Sequence, residues 1–152
     1  MIIVTAATED DMPRILEIEH ESISPPWTHG ALLSEIYRED SFFAIAVNSE
    51  PGAECGAILG FVILRQAADE CELFQIAVGI ASRHSGIADI LMAAALRYAA
   101  DNALKSVYLE VRGSNSAALA LYKKHGFKAV RQRKGYYSEP VEDAVIMVRE
   151  FR

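Results

Sequence analysis

The first forty residues alternate between an apolar strand pattern and two helix patterns. Residues 2–5 form a short apolar run, and Thr8 then stands where a helix N-cap is expected. The segment SPPWTHG interrupts this helix, and Thr28 opens a second one that we expect to end near Arg38. The apolar positions recur at the spacing of one helix face: Met12, Ile15, Leu16 and Ile18 in the first helix, and Leu32, Leu33 and Ile36 in the second.

The period then changes to that of β-strands. FFAIAV, AILGFVILR and ELFQIAV are rich in β-branched and aromatic residues, and the turn-rich segments NSEPGAECG and QAADE join them. Connections this short favour antiparallel neighbours, so we predict a three-stranded meander. The length of NSEPGAECG has no functional explanation in the sequence.

The second half of the chain mixes both patterns. SRHSGIADILMAAALRYAA predicts a long apolar helix after a glycine turn, and SVYLEVR predicts a strand. A helix follows from about Asn115 to His125 and ends near Gly126, and two strands are expected around FKAVRQR and AVIMVREF. These elements predict one α+β domain over residues 1–152, an α/β three-layer arrangement with a mixed, mostly antiparallel sheet of about seven strands and about four helices.

Composition narrows the function classes. The net charge of −6 argues against direct nucleic-acid binding, and no secretory or membrane-spanning segment is evident, so we expect a cytoplasmic protein without membrane contact. The charge is uneven: acidic residues crowd the first helix, whereas residues 123–134 carry six Lys or Arg and no acid. This pattern indicates either two solvated faces or separate approaches for a cationic substrate and an anionic ligand.

Cysteine and histidine are too sparse for a metal site. Cys55 and Cys71 lack a metal-like pairing, and a strand between them would hold them too far apart for a disulfide. The histidines match none of the familiar zinc spacings, so no metal is predicted: His20, His29, His84 and His125.

Candidate chemistry begins at the turn RHSGIAD. A strand that ends at a turn and a helix N-terminus presents several backbone N–H groups together, which suits phosphate oxygens. Gly86 removes a Cβ where a ligand would approach most closely, and Arg83 and His84 can add positive charge. The same pattern also fits a helix start that binds nothing.

Three residues downstream each admit two interpretations. Glu110 alternates with the apolar residues of its strand and is either half of an ion pair with a neighbour such as Arg112 or a general base. Asn115 is an N-cap or a ligand contact, and Tyr122, two turns later on the same face, is a core residue or a proton donor.

Taken together, these segments resemble the GCN5-related N-acetyltransferase (GNAT) superfamily over essentially the whole chain. Arg83, Gly86 and Ala88 satisfy its acetyl-coenzyme A pattern of Arg or Gln, two free positions, Gly, one free position, then Gly or Ala. LFQIAV, LEVRGSNSAALALYKKHGF, GYY and EDAVIM further resemble the members that acetylate protein N-termini. The resemblance implies acetyl transfer from acetyl-coenzyme A to a protein N-terminus, specifically the N-terminal alanine of a small-subunit ribosomal protein.

The resemblance also implies roles for individual residues. Glu110 would be the general base and Tyr122 the general acid. The substrate's first residues would contact Pro26, Trp27, Tyr136 and Tyr137. The cofactor would bind the strand end, the turn with the helix start, and one asparagine: Ile76, Ala77, Val78, Arg83, His84, Ser85, Gly86, Ile87, Ala88, Asp89 and Asn115.

The sequence departs from the family pattern at one position, and two alternative functions stay open. Asp89 stands where relatives often carry a basic residue, and we expect it to face solvent, with cofactor charge met by Arg83, backbone N–H groups and Lys123 or Lys124. The acceptor is alternatively a lysine side chain, a polyamine or another small amine. The other alternative is a protein that is not an enzyme, a module that binds acyl-coenzyme A without catalysis.

Overall fold

The computed structural model describes residues 1–151 and has the predicted architecture of seven strands and four helices. The elements follow the predicted order: β1 (Ile2–Ala6), α1 (Met12–Ser22), α2 (His29–Ile36), β2 (Ser41–Asn48), β3 (Ile58–Ala67), β4 (Glu70–Val78), α3 (Ile87–Asp101), β5 (Ser106–Arg112), α4 (Ser116–Lys124), β6 (Lys128–Ser138) and β7 (Val141–Glu150). The last two strands are longer than predicted, because their hairpin continues through an irregular stretch between Arg133 and Tyr137.

All strands form one sheet in the order β1-β2-β3-β4-β5-β7-β6. The predicted meander β2-β3-β4 is confirmed as antiparallel, and β4 with β5 is the one parallel pair in residues 1–151. That pair extends only from Glu70 opposite Ser106 to Glu72 opposite Tyr108. Since β4 continues to Val78 and β5 to Arg112, the two strands diverge and leave an opening in the sheet.

Side-chain caps fix the ends of two helices. Thr28 Oγ1 accepts a hydrogen bond from the backbone N–H of Ala31 at the start of α2, and Asn115 Oδ1 accepts one from Ala118 at the start of α4. Gly126 follows α4 with φ of +86°, a left-handed conformation that favours glycine.

Apolar helix faces cover both sides of the sheet and make three layers. α3 and α4 pack on one face through residues such as Leu91, Met92 and Ala95. α1 and α2 pack on the other through Ile15, Ile18 and Leu32, all of which are fully buried. The sheet therefore separates an α3/α4 side from an α1/α2 side.

A β-bulge in β4 changes which side chains reach each side. Leu64 pairs with Leu73 and Ile63 pairs with Gln75, so Phe74 is the extra residue. Before the bulge, Leu73 packs in the α3/α4 core, whereas Ala77, an even number of residues later, packs in the α1/α2 core. The alternation of β4 is therefore reversed after Phe74.

Candidate active site

The opening between β4 and β5 contains a cavity of about 750 Å³. Its wall is formed by the last residues of β4, the turn after it, the start of α3, the end of β5 and one face of α4. The end of α1 and Tyr137 complete it. Beyond Glu72, one edge of β4 remains paired with β3, whereas its other edge is no longer paired with β5. Backbone groups of Ile76, Ala77 and Val78 at this wall are therefore available to a ligand.

The glycine turn has the geometry of an anion cradle. Gly86 has φ of +84°, His84 has φ of +62°, and a Cβ added at Gly86 would meet nothing within 4 Å. α3 begins directly after the turn, so the N–H groups of its first turn lack intrahelical partners. The predicted residues at the wall here are Arg83, His84, Gly86, Ile87, Ala88 and Asp89. Ser85 lies outside the wall, and its hydroxyl donates to the Ser82 carbonyl oxygen.

Arg83 fastens the turn to two neighbouring elements. Its Nε donates to the carbonyl oxygen of Val78 at 3.1 Å, and its Nη2 donates to Ser22 Oγ at 3.0 Å. The guanidinium thereby holds the end of β4 next to the end of α1. Its positive charge stays at the cavity wall.

Asp89 is bound to α4 rather than directed only to solvent. Its carboxylate accepts hydrogen bonds from His125 Nε2 at 2.8 Å and Lys124 Nζ at 3.1 Å. These bonds hold the pKa of the Asp89 carboxyl below its usual range. The expectation that Asp89 faces solvent is thus revised, and Lys124, which was expected to be available to the cofactor's charge, pairs with Asp89 beside the turn.

Glu110 lies at the cavity wall on β5, and its ion-pair partner differs from the one considered above. Arg133 Nη1 of β6 donates to Glu110 Oε1 at 3.0 Å. Arg112 instead lies 3.6 Å from the Glu142 carboxylate and stacks over the ring of Tyr137 at 4.3 Å. With 19% of its side chain exposed, Glu110 combines a salt bridge with access to the cavity.

Tyr122 reaches the same cavity from the opposite side of the sheet. Its ring is buried in the α3/α4 core and packs against Phe127 with centroids 5.8 Å apart. Burial, with a smaller contribution from Tyr137, raises the pKa of Tyr122 to about 12. The phenol is consequently protonated at neutral pH and can donate a hydrogen bond into the cavity.

Asn115 combines the two interpretations left open by the sequence. Its Oδ1 caps α4, and its side chain also lies at the cavity wall. Because the cap occupies the oxygen, the amide NH₂ is the group left for a ligand.

The four predicted substrate contacts are divided between the wall and its surroundings. Tyr137 lines the cavity and forms an edge-on pair with the exposed Tyr136 at 5.1 Å. Burial raises the pKa of Tyr137, and a hydrogen bond to Glu110 raises that of Tyr136. Pro26 and Trp27 lie outside the wall, where Pro26 is exposed and the Trp27 ring packs against Phe74 at 5.7 Å.

Sequence reasoning missed two buried polar residues next to the cavity. Glu19 is 0% exposed, although the acidic first helix suggested a solvated face, and Gln75 of β4 is 6% exposed. Their positions in the sequence could have indicated burial. Glu19 lies four residues after Ile15, on the buried face of α1, and Gln75 lies within an apolar strand.

A second cavity lies apart from the predicted site residues. This cavity of about 850 Å³ at the far ends of α3 and β5 contains none of the predicted site residues in its lining. Within residues 1–151, no helix is long and apolar enough to cross a membrane.

Comparisons with known proteins agree over almost the full length. Residues 12–127 match the acetyltransferase (GNAT) family. The chain is 31% identical over 150 residues to a [ribosomal protein bS18]-alanine N-acetyltransferase of Haemophilus influenzae, covering 97% of both chains. The Escherichia coli enzyme of the same name is 29% identical, covering 95% of this chain and 94% of that one.

Solved structures have the same fold. The crystal structure of the ribosomal-protein-S18-alanine N-acetyltransferase from Escherichia coli superposes with a TM-score of 0.86 at 27% identity, covering 99% of this chain and 94% of that one. Arabidopsis thaliana NAA60 in complex with acetyl-CoA has a TM-score of 0.88 at 20% identity, covering 99% and 100%.

Proposed function

Since the chain belongs to the acetyltransferase (GNAT) family and is an N-acetyltransferase, we propose that it transfers acetyl from acetyl-coenzyme A directly to a protein N-terminus. The acceptor is the N-terminal alanine of a small-subunit ribosomal protein, which makes the cytoplasm its place of action. The observation that carries this acceptor is the match along 97% of both chains to an enzyme named for that alanine.

The residues at the cavity fit acetyl-coenzyme A. The left-handed turn at Gly86 leaves space that a Cβ would take, and the N-terminus of α3 offers backbone N–H groups to the pyrophosphate. The residues that would hold the cofactor are the backbone of Ile76, Ala77 and Val78 for the pantetheine arm, residues 83–89 for the phosphates, and the amide NH₂ of Asn115. Bound there, the cofactor supplies a thioester as the acyl donor.

The acceptor must lose a proton before it can attack the thioester. A protein α-amino group has a pKa of about 7.7–8.0, against about 10.4 for a lysine side chain, so a modest base is sufficient. Glu110 receives that proton, directly or through a water, because its carboxylate combines cavity access with a fixed orientation from Arg133.

The leaving thiolate needs a proton or a hydrogen bond on the other side of the opening. Tyr122 supplies it, since burial keeps its hydroxyl protonated at neutral pH. A backbone N–H near Val78 stabilises the developing oxyanion. Tyr136 and Tyr137, with Pro26 and Trp27 across the entrance, hold the first residues of the acceptor.

A panel of acceptors tests this proposal. Peptides that begin with alanine are incubated with acetyl-coenzyme A beside N-terminally blocked lysine peptides and polyamines, and acetylation is quantified by mass spectrometry. We expect modification of the free α-amine of the alanine-started peptides and little elsewhere. Equal rates on blocked lysine peptides or polyamines would favour the small-amine alternative. Mass spectrometry of cellular protein N-termini, with and without this protein, then identifies the acceptor.

A further inference from the structure

Glu19 and Gln75 form a buried polar pair beside the cavity. Gln75 Nε2 donates to Glu19 Oε2 at 3.1 Å, and the backbone N–H of Trp27 donates to the same oxygen at 2.8 Å. Glu19 therefore connects three segments: α1, the loop that leads to α2, and β4. Two of these, the loop and β4, border the predicted path of the acceptor.

The pair leaves two buried acceptors without a hydrogen-bond partner in the described part of the chain. These are Glu19 Oε1 and Gln75 Oε1, each almost fully excluded from solvent. Since the Glu19 carboxylate can only accept, it fixes the Gln75 amide with its NH₂ toward Glu19 and its oxygen elsewhere. Within residues 1–151, Glu35 Oε2 and Ser41 Oγ also lack a partner, but Gln75 is the only one of these four residues that lines the cavity, so its oxygen is the one placed to accept a hydrogen bond from a ligand.

The position of Gln75 identifies which ligand supplies that donor. Gln75 lines the cavity and contacts α1, so its side chain reaches the α1/α2 side of the sheet. Ile87 and Leu91 of α3 and Tyr122 lie on the α3/α4 side. The side chain of Gln75 thus lies on the side of the loop before α2, across the sheet from α3 and Tyr122, although its strand also supplies the backbone that would contact the cofactor.

We propose that Gln75 Oε1 accepts an N–H from the acceptor's α-amino group and that Glu19 is the positioning residue that orients it. The inference rests on the proposed function and adds a specificity determinant to it. An amine with several N–H groups matches an oxygen that has only acceptor capacity.

A cationic partner would favour the ionised form of Glu19. Burial raises the pKa of the Glu19 carboxyl, while its bonds to Trp27 and Gln75 act in the opposite direction. An incoming α-ammonium compensates a buried carboxylate electrostatically, even where the amide of Gln75 lies between them. The acceptor therefore arrives protonated beside Gln75 and passes its proton to Glu110.

Steady-state kinetics with an alanine-started peptide test the proposal. Gln75→Leu keeps the approximate size of the side chain and removes the oxygen, so we expect the peptide KM to rise about tenfold. The KM for acetyl-coenzyme A should stay within about twofold. Glu19→Gln replaces the unpaired Oε1 by an NH₂, keeps an oxygen for Trp27 and Gln75 and removes the charge; it should remain folded and raise the peptide KM about threefold or more.

Glu35→Gln is the matched control, because Glu35 is also buried and also has one oxygen without a hydrogen-bond partner among the described residues, but it pairs with Arg65 and lies outside the cavity wall. It should leave the peptide KM unchanged whatever it does to stability. An unchanged peptide KM in folded Gln75→Leu, or an equal rise in both KM values, would overturn the inference while leaving the proposed function intact. Wild-type protein that acetylates no peptide would overturn the proposed function and this inference together.

Discussion

At the scale of single residues, the site depends on polar groups held by specific partners. Glu110 is oriented by Arg133, and Tyr122 is buried deeply enough to remain a phenol. Both reach one cavity from opposite sides of the sheet. Proton removal and proton donation are therefore assigned to groups whose environments differ, and each assignment can be tested by removing one functional atom.

Replacing Glu110 with glutamine removes the base and keeps the shape. We expect kcat to fall about 100-fold or more, because the neutral amide cannot take the amine's proton. Acetyl-coenzyme A affinity, measured by calorimetry, should be unchanged. Glu17→Gln, at an exposed carboxylate of α1, serves as the control. A variant that keeps its turnover would show that Glu110 is not the base. Wild-type protein that binds acetyl-coenzyme A but acetylates no amine would indicate an acyl-coenzyme A-binding module.

Replacing Tyr122 with phenylalanine removes one hydroxyl from a packed ring. We expect kcat to fall about 100-fold, with both substrate affinities retained, because the leaving thiolate loses its hydrogen-bond donor. Since the pKa of Tyr122 is about 12, the wild-type rate should show no loss from its ionisation up to about pH 10. Tyr98→Phe, on the outer part of α3, should be close to wild type. Unchanged turnover in Tyr122→Phe would contradict the proton-donor role, whereas an alkaline decline below pH 10 that disappears in this variant would contradict the raised pKa.

At the scale of secondary-structure elements, close packing of β3 against β4 sets the cavity wall. A Cβ at Gly60 would lie 2.6 Å from the carbonyl oxygen of Ala77 and 3.1 Å from Leu91 Cδ1. Backbone atoms cannot move aside without disturbing the strand that lines the site. Because Gly60 has no Cβ, β3 can pack closely against the part of the β4 backbone that would face the cofactor.

Gly60→Ala should destabilise the protein by about 1–3 kcal/mol, measured as the free energy of unfolding in urea. Gly30→Ala, in α2 with open space around the added Cβ, is the control and should be neutral or slightly stabilising. Equal stabilities of the two variants would mean that β3 and β4 relax without cost.

The link between α3 and α4 predicts a pH effect. The folded-state pKa of Asp89 lies below its usual 3.8 because His125 and Lys124 bond its carboxylate. Its contribution is therefore present above about pH 4 and lost as the pH falls through the folded-state pKa. Asp89→Asn should cost about 0.5–1 kcal/mol at pH 7, since the pair is partly solvated, and progressively less as the pH is lowered below about 4, for example at pH 3. Urea unfolding at both pH values checks this, and a pH-independent difference would contradict it.

The sequence predicted the elements well because each has a clear period or cap, as at Thr28 and in the alternation of residues 106–112. It could not predict the face of Gln75, since the bulge at Phe74 reverses the alternation only through pairing with β3. Arg133 as the partner of Glu110 was equally hidden, because β7 must first insert between β5 and β6. Long-range pairing, rather than local propensity, completes the site.

At the scale of the whole molecule, three residue pairs between β4 and β5 join the two parts of the sheet, β1–β4 and β5–β7. α3 contacts both β4 and β5 and so reinforces this junction, and the cavity lies where pairing stops. A ligand that fills the opening contacts both parts at once. Ligand binding should therefore stabilise the entire fold.

Acetyl-coenzyme A at about 100 times its dissociation constant should add about 2.7 kcal/mol to the free energy of unfolding. For a chain of this size, this corresponds to a rise in Tm of roughly 5–10 °C, measurable by differential scanning calorimetry. ADP at the same concentration is the comparison and should have a smaller effect. No shift with acetyl-coenzyme A would indicate that the cavity does not bind it.

The separation of the two sides by the sheet has an evolutionary consequence. The donor would be held by residues 76–89 and 115–122, whereas the acceptor would meet the loop before α2 and the β6–β7 hairpin. Mutations in the second set can change which amine is accepted while the donor site stays intact. A lineage with this architecture can therefore diversify its targets under selection without rebuilding its chemistry.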